Sequence, residues 1–307
     1  LLDDHYELGG NVPDASDIVS FAAALTGLDD LVRDGKLVTQ YGFYVLPGKL
    51  ELINQRLLGY LPGLVRERRI RRFLPAARLV PFVRGIALAG SQAMGLMRPT
   101  SDIDLLIITD SRFMWLSRTL LSLWFQLFGV RRHGVLTVNR FCLNHYIAQP
   151  REVDAERNLY KAMEYGKLRP VIGAGVMRQF QIANQHWMRY FLPQLQFAEV
   201  SADTQPSAQK FLERLFDNSF GQRLEQWLKT WQMGRIKQEK YIFIRDDELS
   251  FHPESRHEAL LSAFFKFEQQ QGGEAVQAVR EVEARTIDGA HKLAHRGELE
   301  ADSNRSV

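Results

Sequence analysis

Apolar positions along this chain recur with two periods, and the switches between them mark its elements. Residues 14–60 open with apolar positions at helical spacing through 21–25 and again at 28–32, with Asp17 placed to cap the first turn. Lys36-Leu-Val-Thr-Gln and Phe43-Tyr-Val-Leu then alternate around Tyr41-Gly42 and end at Pro47-Gly48, which predicts a β-hairpin. A helix is expected over 63–79, leading into a short apolar strand, Val83-Arg-Gly-Ile-Ala-Leu-Ala. A second strand at 102–109, a helix at 113–130 and one or two strands within 135–148 complete an α/β pattern with a mixed sheet. Beyond 151 the pattern is mostly helical, at 153–165, 174–191, 208–232 and 256–270. A linker is expected at 201–207, a strand-like stretch at 241–245 and a polar, partly disordered tail from 271 to 307.

Two segments change meaning on closer reading. The apolar stretch at 113–130 approaches the length of a membrane span, but it contains Arg118 and Gln126. Its apolar residues favour one face, Leu116, Leu120, Leu123, Trp124 and Leu127, so a buried helix is expected and no membrane partner. Phe211, Leu215, Trp227 and Trp231 stand at helical spacing and are expected in the core. No basic segment followed by an apolar one opens the sequence given, which starts at Leu1, and a cytoplasmic location is the expectation. The single cysteine, Cys142, excludes a disulfide framework and reads as a small buried side chain.

Charge is distributed unevenly. Residues 1–62 hold four basic and nine acidic side chains, and residues 151–307 are nearly balanced. Residues 63–150 hold thirteen Arg, no Lys and only four acids. An arginine-only bias suits phosphate, because the guanidinium fork matches phosphate oxygens. The plainer reading of the run from Arg66 to Arg72 is the wet face of a helix with snorkelling stems.

Three of those four acids are Asp102, Asp104 and Asp110, and two lie in the most informative stretch. It runs Gly90-Ser91-Gln92-Ala93-Met94-Gly95, five residues, then Ser101-Asp102-Ile103-Asp104-Leu105. Gly90 ends a strand where a missing side chain lets a phosphate approach the backbone. Ser91 offers a hydroxyl and an N–H at the start of a short helix. Alternation along the next strand sends Asp102 and Asp104 to one face, where two carboxylates can hold Mg²⁺ against a triphosphate. Positioning and electrostatics are most of what nucleotidyl transfer requires.

This stretch resembles the signature of minimal nucleotidyltransferases of the DNA polymerase β superfamily, Gly-Ser-x-Ala-x-Gly, five residues, Ser-Asp-x-Asp-Leu. The resemblance covers residues 86–109 directly and 63–150 through the element order. It implies Asp102 and Asp104 as metal ligands, Gly90 and Ser91 as phosphate contacts, and Ser101 as the residue orienting the Asp loop. Two departures stand out. Met94 occupies a position where members often carry Arg, so Arg98 is the candidate replacement. The third carboxylate has no equivalent on the strand around 141–147, which offers Asn144 and His145 instead. Alternation lets only one of these face the aspartates, with Cys142 and Tyr146 on the side of Asn144, and Asn144 is the choice. Asp246-Asp247-Glu248 with Phe251-His252-Pro253 is a weaker candidate. Together with the hairpin start, this arrangement resembles a group of bacterial nucleotidyltransferase-domain proteins.

The expected organisation is a winged-helix-like unit at 1–62, a nucleotidyltransferase domain at 63–150, a helical domain at 151–270 and the tail. The expected function is Mg²⁺-dependent transfer of a nucleoside monophosphate from an NTP, ATP foremost, to an acceptor hydroxyl of a small molecule, a protein or an RNA end. A catalytically weak nucleotide sensor is the alternative. A DNA-binding regulator ranks last, because the winged-helix-like unit is acidic and duplex DNA binding rests on phosphate contacts.

Overall fold

The computed structural model describes residues 21–251, except 96, 154–156, 194, 198–199, 201–202, 237–242 and 246, together with residues 262 and 266. Asp17, nearly all of the helix expected at 256–270, the tail, Asp246, His252 and Pro253 lie outside the described residues.

The described chain begins with α1 (Phe21–Arg33), the hairpin β1 (Val38–Gln40) and β2 (Phe43–Val45), then α2 (Glu51–Leu58) and α3 (Tyr60–Ala77). Next come β3 (Val83–Leu88), α4 (Gly90–Met94), β4 (Ile103–Thr109), α5 (Met114–Leu127) and β5 (Phe141–Ala148). They are followed by α6 (Leu159–Gly166), β6 (Arg169–Ile172), α7 (Ala174–Ala183) and α8 (Gln185–Phe191). The last elements are α9 (Ser207–Phe216), α10 (Ser219–Arg235), β7 (Phe243–Ile244) and β8 (Glu248–Ser250). The hairpin turns where its sequence predicts. Tyr41 and Gly42 both have positive φ, 54° and 77°, the geometry whose twist matches two antiparallel strands. The two helical stretches read at 21–32 are one helix, α1, and it is the only helix before the hairpin among the described residues.

The main sheet has six strands in the order β6-β3-β4-β5-β8-β7. Only β4 and β5 run parallel, joined through α5, so the sheet is mixed as expected. The sequence pattern missed β6 and β8, each four residues or fewer, and both come from beyond residue 150. One face of the sheet packs Ile86, Leu88, Ile103, Leu105 and Ile107 against α3, α5 and α10. The opposite face packs Ala87, Leu106, Ile108 and Ile147 against α6, α7 and α8. Inward residues on both faces explain why β3 and β4 read as apolar runs rather than alternating ones.

Two expectations about helix faces need correction. Helix α5 is buried, but through Met114, Trp115, Leu116, Ser117, Leu121 and Phe125, while Leu123 and Leu127 are exposed. No described helix is long and apolar enough to cross a membrane. Phe211, Leu215, Trp227 and Trp231 are exposed as well, the two indoles stacked with centroids 6.1 Å apart. Helices α9 and α10 turn polar residues inward instead. Glu225 accepts the N–H groups of Trp115 and Leu116 at 2.8 and 2.7 Å, satisfying donors that the first turn of α5 leaves open. Gln209 donates to the carbonyls of Val80 and Val83 at 2.9 and 2.8 Å. These polar residues satisfy backbone groups beside Leu228, Leu224 and Phe216, which pack on the core.

Candidate active site

The site forms where β3 ends and β4 begins. Ala89 closes β3 through its N–H to the Asp104 carbonyl, 3.0 Å, and Gly90 then turns the chain into α4 with φ +56°. A Cβ at Gly90 would lie 3.0 Å from Asp104 Oδ2, in a backbone region that L side chains rarely adopt. Glycine is therefore required twice, for the turn and for the approach of the carboxylate. Ser91, next in the turn, is partly exposed.

Asp104 projects from the same face as Leu106 and Ile108. Asp102 stands just before the strand, and ligand atoms of Asp102, Asp104 and Cys142 all lie within 4.8 Å of one another. Asn144 Nδ2 donates to Asp104 Oδ1 at 3.2 Å, so Asn144 faces the aspartates. Its neighbours differ from the alternating pattern. The β4–β5 register pairs Asp104 with Cys142 and Leu106 with His145, so β5 spends one extra residue between these pairs. This bulge shifts the phase of the strand. Cys142 stays beside Asn144, but Tyr146 turns to the core on the other face. His145 is buried on the face of the site and directed to Glu248, 3.1 Å away.

Burial, then the charges of Asp102 and Glu164, push the Asp104 carboxyl from its ordinary 3.8 up to about 7, against the pull of Asn144 and Arg132. Two acids and Glu164 of α6 thus leave negative charge at Asp104 that the protein answers only in part. Among the described residues the guanidinium hydrogen-bonded to the pair is Arg132, whose Nη1 donates to Asp102 Oδ2 at 2.7 Å and to Cys142 Sγ at 3.2 Å. Burial pushes the Cys142 thiol up to about 12, so it remains a protonated thiol. Hard oxygen ligands with spare negative charge fit Mg²⁺, which is commonly held by one or two carboxylates plus substrate phosphates. The soft, protonated sulfur does not add to that set.

Arg66 holds the loop that presents Asp102. Expected on a wet helix face, it is fully buried instead. Its Nη2 donates to the carbonyls of Arg98 and Ser101 at 2.7 and 2.9 Å, and its Nε to Asn139 Oδ1 at 2.8 Å. Two loop carbonyls that already accept backbone N–H groups are tied to Asn139 by one planar cation. Ser101 Oγ accepts the Arg98 N–H at 3.2 Å within the same loop. Arg98 itself is exposed and enters these contacts through its backbone. Asp247 and Glu248, the described part of the weaker acidic candidate, pair with Arg151 and His145.

Sequence reasoning missed three contributors: Arg66, Arg132 and Glu164. Arg66 had a signal in the acid-poor arginine run, although nothing distinguished it from its neighbours. Arg132 and Glu164 stand outside any motif. No curated protein and no solved structure matches the chain. Residues 68–164 match the family model described as nucleotidyltransferase domain, a span that holds Gly90, Ser91, both aspartates, Asn144 and Glu164. Strands β3, β4 and β5, the Gly-Ser corner and the Asp-x-Asp pair lie within that match, and residues 68–164 carry a nucleotidyltransferase domain, consistent with the polymerase β superfamily.

Proposed function

We propose that this protein is a Mg²⁺-dependent nucleotidyltransferase that moves a nucleoside monophosphate from an NTP, ATP foremost, to an acceptor hydroxyl. The observation that carries the reading is the only partly compensated negative charge of Asp102 and Asp104 beside the Gly90 corner. Asp102 and Asp104 would hold the ion, which when bound neutralises phosphate charge and eases ionisation of a hydroxyl. Gly90 keeps the backbone clear for the β- and γ-phosphates, and Ser91 offers them its hydroxyl and N–H. Arg66 and Ser101 keep the Asp102 loop in place. Arg132 has an exposed, mobile-length side chain suited to leave Asp102 for the triphosphate.

In the step itself, the acceptor oxygen bonds to the α-phosphorus while the bond from that phosphorus to the β-bridging oxygen breaks. Pyrophosphate leaves with the electron pair, and the hydroxyl proton passes to solvent. Asn144 orients Asp104 through its amide N–H and cannot serve as a base. Absence of a strand carboxylate there predicts slow turnover, since general-base catalysis is typically worth about 10²–10⁴-fold.

A nucleotide-binding sensor is the second reading, favoured by the Arg132 guanidinium on Asp102 and by an amide at position 144. Incubating the protein with each α-labelled NTP, Mg²⁺ and cell extract separates the two. The enzyme reading expects label on an acceptor with wild type and Asn144→Asp, and none with Asp104→Asn. Binding of Mg²⁺–ATP by wild type and Asn144→Asp, with no transferred label from either, replaces the enzyme by the sensor.

A further inference from the structure

Eight of the thirteen arginines of residues 63–150 fall into two groups of four. Arg71, Arg84, Arg112 and Arg132 each pair with a carboxylate. Arg68, Arg69, Arg72 and Arg140 pair with none of the described ones, and all four line a single pocket of about 380 Å³ between α3 and the end of α5. The pocket is large enough for a small ligand, whose sites run from ~300 Å³ upward. Its remaining wall is aromatic. The rings of Phe73 and Phe128 lie 5.7 Å apart, Arg72 stands 5.4 Å over Phe73, and Phe128 is half exposed.

Four guanidinium groups gathered without a carboxylate repel one another, and a half-exposed phenyl ring leaves apolar surface in water. An anion relieves the first and a flat ring the second. We propose that this pocket binds a nucleoside phosphate unit, its phosphate among Arg68, Arg72 and Arg140 and its base against Phe128. Guanidinium forks match phosphate oxygens, and base–aromatic stacking is tolerant of base identity. The unit comes either from a free nucleotide or from a single-stranded RNA. The pocket also adjoins the catalytic loop. Arg69 donates to the Asn139 carbonyl at 3.2 Å, Arg66 holds the side chain of the same Asn139, and Asn139 N–H bonds to the Ser101 carbonyl at 3.1 Å. A strand anchored here lies one residue contact from the loop that presents Asp102. The proposal concerns binding alone and stands whether or not the protein transfers nucleotides.

The test uses the full chain in EDTA, which keeps Mg²⁺–nucleotide out of the catalytic corner, and a fluorescein-labelled single-stranded RNA 12-mer read by anisotropy. The double variant Arg68→Gln/Arg72→Gln changes two exposed side chains and is expected to weaken binding at least tenfold at low salt. The slope of log affinity against log salt is expected to fall by about 1.4, since each single-strand phosphate contact contributes roughly 0.7. Phe128→Ala is expected to weaken the 12-mer and AMP while leaving inorganic phosphate unchanged. Competition by AMP as strong as by the 12-mer assigns a free nucleotide as the source, and much weaker competition assigns a strand. Equal binding by wild type and the double variant overturns the proposal. So does displacement by polyglutamate as effective as by RNA, which would assign an acidic peptide, or loss of binding in Asp104→Asn alone.

Discussion

At one end of β4, Asp110 sits between Arg84 and Arg112, and Arg84 reaches on to Glu213 at 2.6 Å. At the other end, Arg132 pairs with Asp102 and acts on Asp104 only through its nearby charge. The two clusters are built from the same residue types on the same strand. Their titration differs in sign. Burial works against the charge of Asp110, but the Arg112 N–H and guanidinium, with Arg84, outweigh it and hold the carboxyl below its ordinary range. Burial and neighbouring acids push Asp104 up to about 7. A carboxylate whose cations are supplied by the chain is a strut between elements, here tying α9 to β3 and β4. One whose cations are in deficit is a receptor for charge from solution.

The sharpest way to break this comparison is to remove the charge in deficit. Asp102→Asn and Asp104→Asn are each expected to reduce nucleotidyl transfer by more than about 10³-fold, the scale of losing an electrostatic group that acts on the transferring phosphate. The fold should persist, as read by circular dichroism, because neither side chain is a strut. Near wild-type turnover in either variant would end the assignment of the site.

Removing the compensated cluster should do the opposite. Arg84→Ala strands Asp110 and Glu213 in a part-exposed position and is expected to cost about 2–3 kcal/mol of stability, less than a fully buried pair would. Nucleotide affinity, measured by calorimetry at a temperature where the variant is folded, is expected to stay within about twofold. A variant as stable as wild type would show that this cluster is no strut.

The third test reads the sign of the Asp104 shift in the metal-free protein. A folded pKa above the unfolded value means that the folded state favours the proton, so ionised Asp104 destabilises the fold at high pH. The cost is complete above about pH 7 and disappears as pH falls from about 7 toward 4. Asp104→Asn is therefore expected to raise Tm in EDTA at pH 8, by a few degrees, and to change it less at pH 5. Added Mg²⁺ should stabilise wild type more at pH 8 than at pH 6. A variant equally destabilised at both pH values contradicts the charge deficit.

The smallest expected effect belongs to Cys142. Lying within the cluster yet with a thiol pushed up to about 12, it should react with iodoacetamide at pH 8 only as fast as the protein opens. Cys142→Ser should leave transfer within about threefold. Rapid labelling of the folded chain would show a thiolate at the site and change the ligand set.

What the residues determined by themselves is what local chemistry encodes. Gly90 is legible because one backbone conformation and one close approach both require it. Asp102 and Asp104 are legible because their spacing brings them together at the start of a strand, Asp102 just before it. The hairpin at Tyr41-Gly42 follows from turn chemistry, and the order of β3, β4, α5 and β5 from period and length. Tertiary structure decided whatever depends on a partner distant in the chain. The extra residue in β5 placed Tyr146 opposite Asn144, against simple alternation, because pairing with β4 sets the phase. Arg66 became a buried clamp while Arg68 and Arg72 stayed exposed, since Arg66 is the one of the three that reaches the Arg98 and Ser101 carbonyls of the 98–101 loop. Phe211 and Trp227 lie outside while Gln209 and Glu225 face inward, at the Val80 and Val83 carbonyls and the first turn of α5, beside Leu228 in the core. Strands β6 and β8 exist through their pairing with β3 and β5, and segments so short carry too few residues for a period to register. Local pattern fixes which face of an element is apolar; which partner that face meets is a property of the folded whole.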